Sequence, residues 1–159
     1  AYKRLAGRLY ENGIPFSIDS EGEKLTSTLP FEPYLVKPNL FELEQMSGKA
    51  LKSVEEIRKA GESLLERGAQ NVLVTLGGDG AMFVNEKCAM KLTPPEGELV
   101  NSVGAGDSTV AGFISQHGKG VTEQVKYAVA AGSATAYNSD LAARQDIISL
   151  LEKVKIEKI

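Results

Sequence analysis

The chain has 159 residues, of which 42% are hydrophobic and 25% charged, and a formal net charge of −3. That length supports one apolar core, and the balance is ordinary for a globular domain. Lys and Arg are scattered among acids, which excludes a basic nucleic-acid or membrane-surface footprint; the single cysteine excludes a disulfide scaffold and points to a reducing cytoplasm.

Residues 1–12 place Leu5 and Leu9 at helical spacing, with Gly13 as a stop. "IPFSID" (14–19) reads as a buried strand and "SEGEKL" (20–25) as a turn and loop. "PYLVKPN" (33–39) reads as a second short strand stopped by Pro38. A helix follows over 39–48, with Asn39 placed as N-cap and Glu42 three residues on, as in a capping box. Residues 53–68 form the clearest amphipathic helix, with Val54, Ile57, Gly61, Leu64 and Leu65 on its apolar side. "NVLVTLG" (71–77) has the nearly continuous apolar run of a strand covered on both faces. A hairpin is expected around Asn85-Glu86-Lys87, then helices over about 107–117, 122–137 and 144–153. Cys88 falls in an apparent strand as a packed thiol, and His117 lies near a helix end beside Gly118. No run is long and apolar enough to span a bilayer, and no signal peptide opens the chain. The start, "AYKRLAGRLYENG", lacks an initiator Met and begins in mid-helix, as a fragment would.

Strands alternating with helices predict an α/β fold with a largely parallel sheet. In such folds ligands bind at the edge where strands end and helices begin. The candidate motifs all follow strands or open helices: KPN at 37–39, TLGGDG at 75–80 and GAGD at 104–107.

GAGD carries the most chemistry. A helix start offers unpaired N–H groups and about half a positive charge. Gly104 and Gly106 let a phosphate come close without a Cβ in the way. A carboxylate aimed at phosphate would be repelled, so Asp107 is expected to face a substrate hydroxyl and orient it for phosphoryl transfer. The alternative is that Asp107 simply caps the helix. The chain has neither G-x-x-x-x-G-K-[ST] nor G-x-G-x-x-G, so a phosphate site here belongs to neither of those classes. TLGGDG is either a tight strand-to-strand turn or the lining of a slot for a flat base. Asn39 with Glu42 is either a capping box alone or a polar pair holding Mg²⁺ through water. Lys37 could turn to the same edge and meet phosphate charge.

Taken in this order, "LVKPNLFELE", "VTLGGDGAMFV", "VGAGDSTVAGF" and "AVAAGSATA" resemble the ribokinase-like (PfkB) family of sugar kinases, nearest its 1-phosphofructokinase and tagatose-6-phosphate kinase branch. The resemblance implies a Rossmann-like α/β/α sandwich. It implies an ATP- and Mg²⁺-dependent enzyme that phosphorylates a hydroxyl of a phosphorylated ketohexose, foremost fructose 1-phosphate to fructose 1,6-bisphosphate, with tagatose 6-phosphate or another sugar as the alternative acceptor. Asp107 would be the catalytic base, and Gly104, Ala105 and Gly106 the anion hole. Thr75, Leu76, Gly77, Gly78, Asp79 and Gly80 would line the ATP site, which Lys37 and Asn39 would also meet. Asn39 and Glu42 would organise Mg²⁺, and Val129 and Ser133 would lie by adenine. After "AYNSD" the family usually has a Gly-Thr-containing loop, where this chain reads "NSDLAARQD".

The resemblance covers only the C-terminal half of such kinases. Residues 1–159 are therefore expected to be the nucleotide-binding and catalytic portion of one kinase domain, without the N-terminal half and its β-sheet lid. The missing half would be a partner of this chain. A bared apolar sheet edge would also favour a homo-oligomer. A non-catalytic nucleotide-binding or structural fragment is the rival reading of a different class.

Overall fold

The computed structural model describes residues 1–159. In chain order the elements are α1 (Tyr2–Glu11), β1 (Ser17–Ile18), α2 (Gly22–Thr26), β2 (Leu35–Val36), α3 (Leu40–Ser47), α4 (Val54–Glu66), β3 (Asn71–Thr75), β4 (Ala81–Asn85), β5 (Ala89–Thr93), α5 (Ala105–Ser115), α6 (Val121–Ala136), α7 (Arg144–Leu151) and β6 (Lys155–Lys158). The six strands form one sheet in the order β1-β2-β3-β4-β5-β6. No helix is long and apolar enough to cross a membrane.

The chain divides into two compact units. The first comprises Ala1–Gly77, Met82–Met90 and Lys158–Ile159. Here β1 pairs parallel to β2 (Ser17 with Leu35, Ile18 with Val36), and β2 parallel to β3 (Val36 with Val72). The connection from β4 to β5 is too short for a parallel crossover. The Asn85 N–H donates to the Cys88 carbonyl at 3.0 Å and closes it as a hairpin. The core gathers Leu25, Leu29, Val36, Leu43, Leu64, Val72 and Met82. Val72, Leu73 and Val74 are all buried, as the continuous apolar run requires of a doubly covered strand. The α4 helix packs against β3 through Ile57, Gly61 and Leu64, while Val54 is 38% exposed. A Cβ at Gly61 would lie 2.9 Å from Val84 Cγ1, so glycine sets how closely α4 approaches.

The second unit comprises Gly78–Ala81 and Lys91–Glu157. Its core is the pair α5 and α6, joined by small residues. A Cβ at Gly112 would meet Ala131 Cβ at 2.9 Å. Phe113, Val125, Ala128 and Ala131 are buried at this seam.

Several expected elements differ. "IPFSID" supplies only a two-residue strand, and the loop expected at 20–25 contains the short helix α2. Residues 94–104 form no strand before GAGD. They run as an extended segment whose Val100 and Asn101 N–H groups both donate to the Ala136 carbonyl, at 2.9 and 3.1 Å. Cys88 lies between β4 and β5 and not inside a strand. The strand β6 was unexpected, because Lys155, Glu157 and Lys158 hide it from any hydrophobic pattern. Charged residues of this kind suit an edge strand, where they discourage pairing with another chain.

Candidate active site

The GAGD motif opens α5. The helix begins at Ala105, two residues earlier than expected, and its N-cap is Gly104 in the left-handed region (φ 80°). Asp107 is therefore the third helical residue and not the cap, which removes the bland reading of its carboxylate. No side chain caps the helix. The Ala105 N–H donates to the Ser102 carbonyl at 3.2 Å and Ser108 N–H to the Gly104 carbonyl at 2.9 Å, leaving the Gly106 and Asp107 amides without an acceptor. Asp107 is exposed. A glycine-formed start, two free amides and an accessible carboxylate thus share one helical turn. Free amides at a helix start favour an anion, and the carboxylate can take a hydrogen from a neutral donor.

On α6, Val129 is 6% exposed and packs in the core, and Ser133 is half-buried. In the TLGGDG stretch, Gly78 has open space around its Cα and Gly80 is left-handed (φ 96°). A Cβ at Gly80 would strike the Leu92 carbonyl, so this turn tolerates only glycine. Residues Gly77–Asp79 form a single 3₁₀ turn.

The first unit brings Lys37, Asn39, Glu42 and Thr75 together. Thr75 ends β3, its N–H donates to the Pro38 carbonyl at 3.0 Å, and it forms a parallel bridge with Asn39. Leu76 follows, packed against the core. The space beside Gly77 is open. Asn39 caps α3 as expected. Its Oδ1 accepts the Glu42 N–H at 2.8 Å, and Glu42 Oε2 accepts the Asn39 N–H at 2.9 Å.

That capping box limits what the pair can do for a metal. One oxygen of each side chain is already engaged, and no group of three or more His, Cys, Asp or Glu side chains could hold an ion. The donor set fits Mg²⁺ only through water, with Glu42 Oε1 as the remaining anionic oxygen. Mg²⁺ binds this way when phosphates supply the rest of its shell.

Lys37 is 7% exposed, with its Nζ 3.4 Å from Asp19 Oδ1. Asp19 was missed in the sequence. It lies just past β1, and parallel pairing with β2 carries it to Lys37. The only signal was an acid at the end of a predicted strand. Ser108 and Thr135, whose hydroxyls lie 2.8 Å apart, were missed as well.

The other reactive side chains play no part here. Burial pushes the Cys88 thiol up, partly offset by Lys158. The His117 N–H donates to the Ile114 carbonyl just past the end of α5. A shallow groove of about 510 Å³ lies over α1, lined by Lys3, Arg4, Gly7, Arg8 and Phe31 among others, and holds none of the expected residues.

Residues 2–146 match the family model described as pfkB family carbohydrate kinase. The chain belongs to the pfkB family. Among its relatives, the 1-phosphofructokinase of Borreliella burgdorferi is 36% identical over 100% of this chain and 52% of its own length. The D-tagatose-1-phosphate kinase of Bacillus licheniformis is 38% identical over 88% of this chain and 47% of its own. Among solved structures, a Staphylococcus aureus protein provisionally named a phosphofructokinase superposes with a TM-score of 0.96 at 38% identity, covering 99% of this chain and 52% of that one. An Arabidopsis thaliana ribokinase solved with ribose and ATP shares the fold alone, with a TM-score of 0.83 at 24% identity over 95% of this chain and 52% of its own. The ribokinase-like α/β fold expected from the motifs is thus the fold of this pfkB chain. The chain spans about half the length of the curated relatives it matches.

Proposed function

We propose that the protein carrying this chain is an ATP- and Mg²⁺-dependent kinase that transfers the γ-phosphoryl group to a hydroxyl of a phosphorylated ketohexose. Fructose 1-phosphate is the leading acceptor, giving fructose 1,6-bisphosphate. Residues 1–159 would be the C-terminal, nucleotide-binding and catalytic portion of one ribokinase-like domain, working in the cytoplasm with the rest of that domain. The start of α5 carries this reading: free amides at Gly106 and Asp107 behind a left-handed Gly104, with the exposed Asp107 carboxylate in the same turn.

The roles follow from that geometry. The free amides of Gly106 and Asp107 would take the equatorial oxygens of the phosphoryl group in flight. Asp107 would accept the hydrogen of the attacking hydroxyl and hold its oxygen in line; little proton abstraction is needed early in a loose transfer, so an ordinary carboxylate suffices. Thr75 to Gly80 would line the nucleotide, with the open space at Gly77 and Gly78 admitting it. Val129 and Ser133 would back the adenine side. Lys37 would reach the phosphates, and Asn39 with Glu42 would hold Mg²⁺ through water. When bound, Mg²⁺ neutralises charge on the phosphate oxygens.

In the complete kinase, Asp107→Asn should lower turnover by about 10²-fold or more while leaving the Kd for ATP nearly unchanged. Unchanged turnover would discard the base assignment. Tagatose 1-phosphate is the second acceptor to consider, because one relative is named for it. Comparing kcat/KM for the two ketohexose phosphates separates them.

A further inference from the structure

Thr135 lies in the last turn of α6 and is 2% exposed. Its Oγ1 is 2.8 Å from Ser108 Oγ and accepts the Ala142 N–H at 3.2 Å. A buried hydroxyl has one proton and two lone pairs to satisfy, and these two partners take up two of the three. Ser108 directly follows Asp107, and its own N–H closes the first turn of α5 on the Gly104 carbonyl at 2.9 Å. Ala142 directly follows Leu141, whose Cδ2 lies 2.8 Å from where a Cβ at Gly104 would sit. One hydroxyl therefore joins the first turn of α5, the last turn of α6 and the connection over residues 138–143. That connection is where the chain departs from the family's usual Gly-Thr loop.

We propose that Thr135 is a positioning residue. Through Ser108 and Ala142, its hydroxyl holds the turn bearing Asp107 in register with the 138–143 connection, so that ordering either one orders the other. The inference rests on reading the α5 start as the phosphoryl-transfer site, but the tie itself can be tested without activity.

Two variants separate hydroxyl from packing. Thr135→Val keeps the volume and loses the hydroxyl; Thr135→Ser keeps the hydroxyl and loses a methyl. On the 159-residue chain, amide exchange at Ser108 and Ala142 reads the tie. Titration with Mg²⁺ and the non-hydrolysable analogue adenylyl imidodiphosphate reads the site. Thr135→Val is expected to speed exchange at both amides about tenfold and weaken analogue binding about fivefold, with Thr135→Ser within about twofold of the parent on both. Thr135→Val matching the parent, with Thr135→Ser impaired, would assign the residue to packing and overturn the proposal.

If Thr135→Val fails to fold, Ser108→Ala tests the same tie from its other end. It should speed exchange at Ala142 although it removes no bond that Ala142 makes, and an unchanged Ala142 rate would also overturn the proposal. Should the parent chain not bind the analogue while the exchange pattern holds, the tie stands and the nucleotide reading fails. Should Thr135→Val bind the analogue with parental exchange, the tie fails and the nucleotide reading stands.

Discussion

At position 104 the backbone turns left-handed, and Leu141 occupies the space a side chain would need. Gly104→Ala should therefore cost about 1–3 kcal/mol, read as a lowered melting temperature, and should displace Leu141 from the helix start. Cys88 behaves differently, because its burial favours the neutral thiol. Its alkylation by iodoacetamide at mildly alkaline pH should be slower than that of an exposed cysteine, with a rate still climbing after an unperturbed thiol has fully ionised. An equal rate would contradict the burial. At this scale the sequence was readable where partners are near in the chain. Asn39 and Glu42 are three residues apart, and their reciprocal bonds were predictable from spacing alone. Ser108 and Thr135 are 27 residues apart; nothing local in either marks the other, since small hydroxyl residues in a helix usually pack or bond to their own backbone.

Among the elements, α3 offers a way to divide structure from chemistry. Asn39→Ala removes the cap and should cost about 1 kcal/mol. Glu42→Gln keeps the box, since Gln serves equally at that position, so stability should hold within about 0.5 kcal/mol. The same change removes the one anionic oxygen left free for a water-held ion. In the complete kinase it should raise the Mg²⁺ concentration needed for half-maximal turnover; an unchanged Mg²⁺ titration would leave the pair as a cap and nothing more. Strongly periodic elements were legible, with α4 and α6 found within a residue or two of their expected bounds. The start of α5 was misplaced because Gly104, Ala105 and Gly106 have no periodicity to mark a helix. The segment 94–104 forms no strand, and its Leu99, Val100 and Val103 are 67%, 56% and 76% exposed. Its backbone bonds go to the end of α6 instead of a neighbouring strand.

For the molecule as a whole, the motifs gave the family before any coordinates, because four short patterns in fixed order are far more specific than any one of them. Composition alone gave only a globular domain. A chain half the length of its relatives has the proposed base and nucleotide side without the remainder of the fold. Excluding water from phosphoryl transfer normally takes a closed site. Purified 1–159 alone should show no measurable phosphorylation of fructose 1-phosphate in a coupled assay, and robust turnover would show that the chain is sufficient by itself. Tyr2, Leu5, Tyr10 and Ile14 are each about half exposed on and just after α1. Apolar surface of that kind favours association, so sedimentation velocity should find species larger than a monomer as concentration rises.

The contact between Lys37 and Asp19 bears on how the protein would respond to its medium. An incoming phosphate that recruits this lysine must take it from a carboxylate already in place, so one counter-charge is exchanged for another. Dissolved electrolyte screens the outgoing and the incoming attraction alike. Affinity for a phosphorylated ligand should then vary less with ionic strength than it would at a site built on an unclaimed cation.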